Sequence, residues 1–428
     1  MKALVAKPRS APTGATQAAR LVLAGLVVSA LLSACSSNSS DPRVDGAVVT
    51  MLTMSSSTPY TPHAQNGGTD DYHCTLLDPH VQQNSFIVAS QFFPGNGPSS
   101  VEVHHAILFL VPPDLVSAAK TANDGGRGWT CFGEPPVLGQ GLGQFLSMPW
   151  LSAWAPGHGK DVLPLTTGTP LAKGSLIIMQ VHYNLLVGDN PVKPSVQLDT
   201  VPASANLRPT TIQPIVAVPN IPCPAGVTGP LCDRSAEIGN LEQRFGIYMG
   251  IFDDGIEMIC GENPVDPPEG DATSCTWHIG QAGYIVRDAA HMHLIGRSMT
   301  LTVNPSTPQA QTIMDVDNYN FHYQRAYNLR NWVKVSAGES VQVGCTYDPT
   351  LDQELPALRK LPAHFVTWGD GSSDEMCLGL IWEVPLNPHA TVDWANPAGG
   401  LNIRGGTNGP HPRGPGAPPG GGAPAVPN

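Results

Sequence analysis

Short β-rich segments separated by turn-forming clusters are the feature that most constrains the fold of this chain. They occupy residues 85–89, 106–111, 175–183, 298–303, 331–335, 340–343 and 378–384. No long segment of the sequence has a convincing 3.6-residue period. The 45 Gly and 43 Pro residues also favour turn-rich β structure over helix bundles. We therefore predict an all-β fold.

The length of the chain predicts two domains in series. Its 428 residues exceed the usual range of roughly 100 to 200 residues per domain. We place the N-terminal domain at 71–212 and the C-terminal domain at 213–396, with the Pro-rich passage around 202–224 as the join. Residues 35–70 are expected to form a flexible tether, and the Gly/Pro-rich tail at 397–428 is expected to be disordered.

The first 34 residues have the pattern of a secretory signal peptide that ends in a lipobox. Basic residues precede an apolar run at 21–32, and Leu32-Ser33-Ala34-Cys35 follows. The run is shorter than the about 20 apolar residues that a membrane span requires, so an uncleaved anchor is disfavoured. We predict that Cys35 is lipidated and holds the protein at the cell envelope, outside the cytoplasm, at the outer membrane or its periplasmic face in a Gram-negative cell.

The charge of the mature chain argues against nucleic acid as a partner. Residues 1–34 carry four positive charges and no negative ones, so their removal changes the formal charge from −12 to −16. A surface this acidic repels phosphate backbones.

The cysteines predict a disulfide-bonded protein. Of the nine, Cys35 belongs to the lipobox, and eight remain in an oxidising compartment, which indicates four disulfides. Cys223 and Cys232 lie in one Pro/Gly-rich stretch, and Cys260 and Cys275 flank another, so each pair could close a local loop. Free thiols or zinc ligands are disfavoured, because no two cysteines have the spacing of a zinc knuckle.

His291 and His293 are candidate metal ligands because they are two residues apart. On a strand, both imidazoles would leave the same face and could bind one ion. Met376 adds a thioether further along the chain. Imidazole and thioether together indicate copper.

His104, His105 and His182 form a second candidate set. His104 and His105 are adjacent, so a regular strand would send them to opposite faces. Both can reach one ion only if the strand twists or bulges, or if they use different ring nitrogens. His182 ends an apolar run, and on its own each of these histidines would more often be structural than a ligand. However, imidazoles that bind no ion or other partner would be costly to desolvate at the edge of apolar strands.

Taken in order and with their neighbours, these groups resemble the copper type II ascorbate-dependent monooxygenases, the family of dopamine beta-hydroxylase and peptidylglycine alpha-hydroxylating monooxygenase. The resemblance covers about residues 71–385. The motifs that carry the resemblance are Asp71-Tyr72-His73-Cys74, Val103-His104-His105, Gln180-Val181-His182-Tyr183, His291-Met292-His293-Leu294-Ile295-Gly296-Arg297, Gly344-Cys345-Thr346-Tyr347 and Asp374-Glu375-Met376-Cys377.

The resemblance implies two antiparallel, jelly-roll-like β-sandwich domains, with two copper ions per chain and ascorbate or an equivalent electron donor. The electron-transfer copper would be held in the N-terminal domain by His104, His105 and His182. The oxygen-binding copper, at an active site in the cleft between the domains, would be held by His291, His293 and Met376. The resemblance also implies that Cys74 pairs with Cys131 and that Cys345 pairs with Cys377.

The activity implied is hydroxylation of a C–H bond of a small organic substrate with O2. Peptidylglycine enzymes have Arg and Tyr at the positions of Ala289 and Leu380, where they anchor the peptide carboxylate, so C-terminal glycine peptides are not expected as substrates. The sequence of residues 318–324 is more similar to the dopamine-hydroxylase branch of the family than to the peptidylglycine branch. Asp374 and Glu375 are expected to be structural or solvent-facing.

Two other functions remain open at the level of sequence. The same ligands could serve a copper-binding or copper-buffering lipoprotein without catalysis. The three histidines could instead hold the zinc of a hydrolase, for which Glu102 is the adjacent candidate base.

Overall fold

The computed structural model of the chain describes residues 38–40, 47–95, 101–394 except 134 and 140, and 403–405. The signal peptide, Cys35 and most of the Gly/Pro-rich tail lie outside these residues. Strands dominate the described part, and the predicted all-β class is confirmed. Within that part, no helix is both long and apolar enough to cross a bilayer.

The N-terminal sandwich consists of two sheets that pack face to face. Its strands are β1 (Asn38–Ser40), β2 (Val48–Ser55), β3 (Asp70–Leu77), β4 (Ser85–Phe93), β5 (Val103–Val111), β6 (Trp129–Thr130), β7 (Trp150–Trp154), β8 (Asp161–Val162), β9 (Thr167–Leu171), β10 (Leu176–Asn184), β11 (Ser195–Pro202) and β12 (Arg208–Pro209). One sheet has the order β1-β2-β11-β4-β9-β12 with β8 beside β4, and the other has the order β6-β3-β10-β5-β7. Leu108, Met179 and Leu198 are among the residues that fill the space between them.

The C-terminal sandwich follows directly. Its strands are β13 (Thr211–Ala217), β14 (Ala272–Ile279), β15 (Gly283–His291), β16 (Gly296–Val303), β17 (Gln311–Val316), β18 (Ala326–Val335), β19 (Ser340–Tyr347), β20 (Cys377–Pro385) and β21 (Ile403–Gly405). The sheets have the orders β13-β20-β15-β18 and β17-β16-β19-β14-β21. The Pro-rich passage predicted as the join contains β13, so the change from one sandwich to the other falls at Thr210.

One sheet of the N-terminal sandwich is buried on both faces. Its central strand β10 is buried along its whole length, because the C-terminal sandwich packs against the outer face of the sheet. Hydrogen bonds cross this contact, including Gln213 Nε2 to the Leu146 carbonyl oxygen at 3.0 Å and the Ala326 amide to His158 Nε2 at 2.7 Å. Burial on both faces explains why β10 is a continuous apolar run rather than an alternating one.

The segment predicted as a flexible tether contributes to the fold. Strand β2 lies within it and pairs with β11 from Thr50 to Ser55, and β1 pairs with β2. The edge of β11 would otherwise leave backbone groups unpaired, and Met54 contributes an apolar side chain to the core. The N-terminal sandwich therefore begins well before residue 71.

The tail predicted as disordered also contains a paired strand. Residues 403–405 form β21, which pairs with Trp277, His278 and Ile279 of β14. Backbone pairing at an open sheet edge does not depend on apolar side chains, so a composition-based prediction misses it.

Helices are more extensive than the sequence predicted. They are α1 (Val116–Ala122), α2 (Leu142–Leu146), α3 (Arg234–Phe245), α4 (Tyr248–Cys260) and α5 (Leu351–Glu354), with 3-10 helices at Asp124–Gly126, Pro136–Leu138, Ala203–Ala205 and Leu358–Lys360. Helix α4 buries Met249, Phe252 and Ile256, which have helical spacing. Its opposite face exposes Ile251 and Met258, so the contrast between apolar and polar faces is weak. This explains why the 3.6-residue period was not recognised.

The described chain contains four disulfides, of which two are the pairs that the resemblance implied and two are the local loops that the sequence left open. They join Cys74 to Cys131, Cys223 to Cys232, Cys260 to Cys275 and Cys345 to Cys377. The third ties the end of α4 to β14.

Asp288 on β15 is a buried acid that weakens the fold at neutral pH. Its exposed fraction is 2%, and its Oδ2 has no hydrogen-bond partner in the described chain. Burial raises the pKa of Asp288 to about 7, although Arg287 lowers it. The folded protein must therefore either hold a proton there or bury a charge.

We expect Asp288→Asn to remove a pH-dependent loss of stability. Between about pH 4 and pH 7 the folded protein keeps a proton that the unfolded chain has released, so its free energy of unfolding falls as pH rises. The variant should gain on the parent by up to about 4 kcal/mol across this range, measured by denaturant unfolding at several pH values. Asp315→Asn, at an exposed position of β17, is the control. The same trend in both variants would contradict the expectation.

Candidate metal centre

A bulge in β5 brings the first three histidines together. His182 on β10 pairs with His105, whereas Tyr183 pairs with Val103, so His104 is an extra residue in β5. The bulge turns both adjacent histidines toward His182, which a regular strand could not do. The ligand atoms of His104, His105 and His182 lie within 4.8 Å of one another, and all three residues are buried.

The nitrogens of His104 and His182 are arranged for a shared ion. Nδ1 of His104 lies 2.9 Å from Nδ1 of His182. Two nitrogens that bind one ion at about 2.0–2.1 Å are roughly 2.9–3.4 Å apart at angles between square and tetrahedral. The pair therefore has the separation of two ligands.

Asp70 fixes the orientation of His182. Its Oδ1 accepts a hydrogen bond from His182 Nε2 at 2.9 Å, which leaves Nδ1 of that ring as the ligand atom. Asp70 Oδ1 also accepts from the backbone and hydroxyl of Ser372, at 3.0 and 2.9 Å. Burial opposes ionisation of Asp70, but its hydrogen bonds outweigh it and hold its pKa below the usual value.

His291 and His293 are placed differently from the prediction. Strand β15 ends at His291, and His293 lies in the turn that follows, so they are not two positions of one strand. Buried Glu375 shapes this turn by accepting hydrogen bonds from the His293 and Ile295 amides at 2.9 and 2.8 Å. The two rings still lie on the same side, with centroids 5.2 Å apart.

Both rings are oriented through Nδ1. His291 Nδ1 donates to Gln324 Oε1 at 2.8 Å, and His293 Nδ1 donates to the carbonyl oxygen of Asp374 at 3.1 Å. In each ring this leaves Nε2 as the ligand atom, and neither Nε2 has a hydrogen-bond partner within the described chain. This is the arrangement expected of metal-binding histidines.

Residues 370–376, here called the bridging segment, contact both ligand sets. Tyr72 donates to the Asp370 carbonyl oxygen at 2.9 Å, Ser372 bonds to Asp70, and Met376 ends the segment. Asp374 is held by Arg244 of α3, whose Nη2 lies 2.7 Å from its Oδ1. Neither Asp374 nor Glu375 is solvent-facing; both are buried and structural.

Gly371 allows this close packing. A Cβ there would lie 2.7 Å from Asp374 Oδ2 and 3.1 Å from Asp70 Oδ2. A side chain at this position would push the bridging segment away from the carboxylate that orients His182.

The five imidazoles form one cluster, in which His291 is half-buried and the others are buried, whereas the sequence analysis placed them in two separate sites. The centroid of His104 lies 5.7 Å from that of His291 and 5.4 Å from that of His293, and His105 lies 5.4 Å from His291. The two ligand sets are therefore in ring-to-ring contact, and the bridging segment contacts both.

The cluster is electrostatically prepared for a cation. Burial, followed by the neighbouring histidines, lowers the pKa of His104, His105 and His293 well below the usual value, and burial lowers that of His291 to about 4. Neutral imidazole is the form that binds metals. Of the nitrogens assigned as ligand atoms, His105 Nδ1 also has no hydrogen-bond partner among the described residues. So many unpaired nitrogens would be costly unless a metal ion binds them.

A cavity of about 140 Å³ opens beside the cluster, between the two sandwiches. His105, His291 and Met376 line it, together with β5, β7, β15, β20 and α4. Ala289 and Leu380 are also in its wall and pair across neighbouring strands.

Sequence reasoning missed the residues that orient the ligands. Asp70 lies one position before the motif Asp71-Tyr72-His73-Cys74. Gln324 lies in the segment 318–324, which the sequence analysis noted only for its similarity to the dopamine-hydroxylase branch. Their polar side chains in apolar surroundings were the only available signal. Glu102, the candidate hydrolase base, accepts a hydrogen bond from Asn190 Nδ2 at 2.6 Å and is tied to that loop.

We expect Asp70→Asn to weaken copper binding by the three histidines. The variant loses the carboxylate that orients His182, and loss of such a partner costs roughly 10–100-fold in affinity. Competition with a copper chelator measures it. Asp71→Asn is the matched control, because Asp71 is a neighbouring buried acid that bonds to Tyr60 and the His63 amide. Equal losses in both variants would contradict the role of Asp70.

Two comparisons with known proteins bear on this part of the chain. Residues 271–385, which include His291, His293 and Met376, match the family model for the C-terminal domain of copper type II ascorbate-dependent monooxygenases. The chain is 22% identical over 321 residues to a tyramine beta-hydroxylase of Caenorhabditis briggsae, which covers 74% of this chain and 43% of that protein. The chain thus spans less than half of this relative. Both similarities support a relation to copper type II monooxygenases.

Similarities to solved structures are weaker. A peptide-N(4)-(N-acetyl-beta-D-glucosaminyl) asparagine amidase has a TM-score of 0.29 and 7% identity, over 80% of this chain and 98% of that one. An allantoicase from Saccharomyces cerevisiae has a TM-score of 0.18 and 9% identity, over 76% and 80% of the two chains. Such TM-scores support no conclusion about fold or function.

Proposed function

We propose that this protein is a copper-dependent monooxygenase that hydroxylates a C–H bond of a small organic substrate. O2 would be the oxidant, and ascorbate or another one-electron donor would be the reductant. The observation that carries this proposal is the cluster of five imidazoles, in which His105, His291 and His293 each present a ring nitrogen that has no hydrogen-bond partner among the described residues. The family match over residues 271–385 supports it independently.

The donor set favours copper over zinc. Imidazole binds both ions, but a thioether favours Cu(I), and Met376 lines the same cavity as His291. The structure also ties the candidate hydrolase base Glu102 to Asn190.

The reaction requires two electrons from outside the substrate. R–H, O2, two electrons and two protons give R–OH and water. Two bound copper ions would each supply one electron and thereby activate O2 next to the substrate. His104, His105 and His182 would hold the electron-storing ion, and His291, His293 and Met376 would hold the ion that faces O2.

The protein positions these components in three ways. Asp70, Gln324 and the Asp374 carbonyl fix the ring orientations, so the ligand nitrogens need no rearrangement. Ring contacts between the two sets give an electron a short path. The apolar cavity excludes water from the reacting C–H bond.

We further propose that lipidated Cys35 attaches the protein to the cell envelope, outside the cytoplasm. The support is the sequence pattern of residues 1–35. Mass spectrometry of the membrane fraction would test this, with a diacylated N-terminal cysteine as the expected product. Retention of residues 1–34 would contradict it.

The decisive experiment loads the full chain with copper and measures O2 uptake with ascorbate against a panel of small phenethyl, aliphatic and peptide compounds. Two copper ions per chain and hydroxylated product in proportion to O2 consumed are expected. Copper uptake without coupled product would favour the copper-buffering alternative. One ion per chain, or a preference for zinc under reducing conditions, would contradict the proposed function.

A further inference from the structure

His364 is a half-buried residue that contacts the bridging segment from outside the imidazole cluster. Its Nε2 lies 3.2 Å from the carbonyl oxygen of Ser373, and its Nδ1 lies 3.1 Å from the carbonyl oxygen of Pro362. A carbonyl oxygen only accepts hydrogen bonds, so both ring nitrogens must donate to satisfy both contacts. Only the imidazolium form of histidine carries a proton on both nitrogens. The geometry therefore indicates a cation at this position.

Three carboxyl groups face the ring of His364. They belong to Asp374 of the bridging segment, Glu237 of α3 and Asp352 of α5. Burial lowers the pKa of His364, but these carboxyl groups outweigh burial and raise the pKa above its usual value. The surroundings thus favour the same protonated form that the two carbonyl contacts require.

Two arginines lie near these acids. Arg244 of α3 is shared between Glu237 and Asp374, at 3.0 and 2.7 Å. Arg359 is exposed and lines a cavity of about 110 Å³ beside the ring of His364. Burial, followed by Asp374, raises the pKa of Glu237 to about 7, and its Oε2 has no hydrogen-bond partner among the described residues. A proton on His364 supplies further positive charge to this acidic group.

Ser373 lies between the two residues through which the bridging segment orients metal ligands. On one side, Ser372 donates to Asp70, the carboxylate behind the three-histidine set. On the other side, Asp374 presents the carbonyl oxygen that orients His293. A contact that fixes the peptide of Ser373 therefore acts on both ligand sets.

The backbone next to His364 is itself fixed. Val366 and Ile221 exchange two hydrogen bonds of 2.9 Å, and the Phe365 amide donates to the Leu231 carbonyl oxygen at 2.7 Å. The ring of His364 thus holds Ser373 against a part of the C-terminal sandwich that does not depend on the bridging segment.

We propose that His364 is a cationic positioning residue, which holds the Ser373 carbonyl and thereby keeps both ligand sets in place. This inference rests on the copper sites of the proposed function and concerns their regulation. Loss of the proton leaves a single N–H on the ring, so one of the two carbonyl contacts is lost. Both ligand sets should therefore become less well oriented as pH rises.

The charge of His364 is measured by NMR on the full chain with isotope-labelled histidine and without copper. His364→Gln identifies the signal by its loss. His364 should titrate above its usual pKa of about 6.5. A His364 that titrates at or below this value would overturn the proposal, whatever the outcome of the copper measurements.

Copper affinity tests the positioning role. Cu(I) is titrated into the full chain in competition with a chelator, at several pH values on both sides of the pKa measured for His364. His364→Gln keeps a neutral donor without the charge. At the lowest pH it should bind copper about 3- to 10-fold more weakly than the parent in both sets, which is less than for a residue that touches a ligand directly.

The pH dependence separates positioning by a cation from a purely structural role. The difference between His364→Gln and the parent should disappear as pH rises through the pKa of His364, because the parent then loses the charge as well. An equal difference at every pH, or no difference at any pH, would overturn the proposal.

Two further variants complete the comparison. His364→Arg keeps a permanent charge with several donors, and the neighbouring cavity has room for the longer side chain. It should bind copper like the parent at low pH and keep this affinity at high pH; affinity as weak as that of His364→Gln would overturn the proposal. His278→Gln, at an exposed position of β14, is the matched control and should bind copper like the parent at every pH.

These measurements need neither substrate nor turnover, so they separate this inference from the proposed function. The expected titration and copper affinities without hydroxylated product would contradict the proposed function and leave the role of His364 intact. Coupled turnover in a protein whose His364 is neutral would overturn the inference and leave the proposed function intact.

Discussion

Replacement of Met376 by Ile should abolish copper- and O2-dependent product formation while the three-histidine copper stays bound. Isoleucine keeps the volume and apolar character of a side chain that is 6% exposed, but it removes the thioether. Loss of a partner that only orients a ligand already costs roughly 10–100-fold, so loss of the ligand itself should cost more than roughly 100-fold in turnover.

The measurement combines product analysis with copper content and electron paramagnetic resonance of the oxidised protein. The variant should bind one copper tightly instead of two, with the signal of His104, His105 and His182 retained. Met314→Ile is the matched control, because Met314 is a buried methionine of β17 outside the cavity. Retained turnover in Met376→Ile would contradict the assignment of Met376 as a ligand.

Removal of the Cys345–Cys377 disulfide should reduce both stability and copper binding at the Met376 site. The bond closes a loop with a sequence separation of 32 residues. The chain-entropy model predicts a loss of about 3–4 kcal/mol in the free energy of unfolding for a loop of this size. Cys377 directly follows Met376, so the same change frees the end of the bridging segment.

The double variant Cys345→Ala/Cys377→Ala is compared with Cys223→Ala/Cys232→Ala, which removes a short loop with a sequence separation of 9. Denaturant unfolding should show losses in both. Copper titration should show weakened binding at the Met376 site in the first variant alone. If both variants bind copper like the parent, the disulfide stabilises the fold without positioning Met376.

The sequence predicted the fold class and the candidate ligands because both depend on local patterns. Short apolar runs between Gly/Pro clusters are visible without tertiary information, and His-x-His or His-His is visible by inspection. Adjacent residues cannot share a face of a regular strand, so the sequence indicated a twist or bulge at His104 and His105 only if both residues bind one ion.

What the sequence did not reveal depends on contacts between distant segments. Asp70 and Ser372 are 302 residues apart, so no local pattern indicates that they meet at His182. The contact between the two ligand sets likewise depends on how the sandwiches pack. Strands β1 and β21 escaped notice because they are held by backbone pairing, which leaves little trace in side-chain composition.

The bridging segment has a consequence for the order of folding and metal loading. Asp70 gains two further hydrogen bonds when Ser372 arrives from near the end of the described chain, and His293 is oriented by the peptide of Asp374. If the chain is exported as proposed, an N-terminal half that emerges first would carry the three histidines without the Ser372 hydrogen bonds that hold Asp70. Copper binding by both ligand sets should therefore require the whole chain.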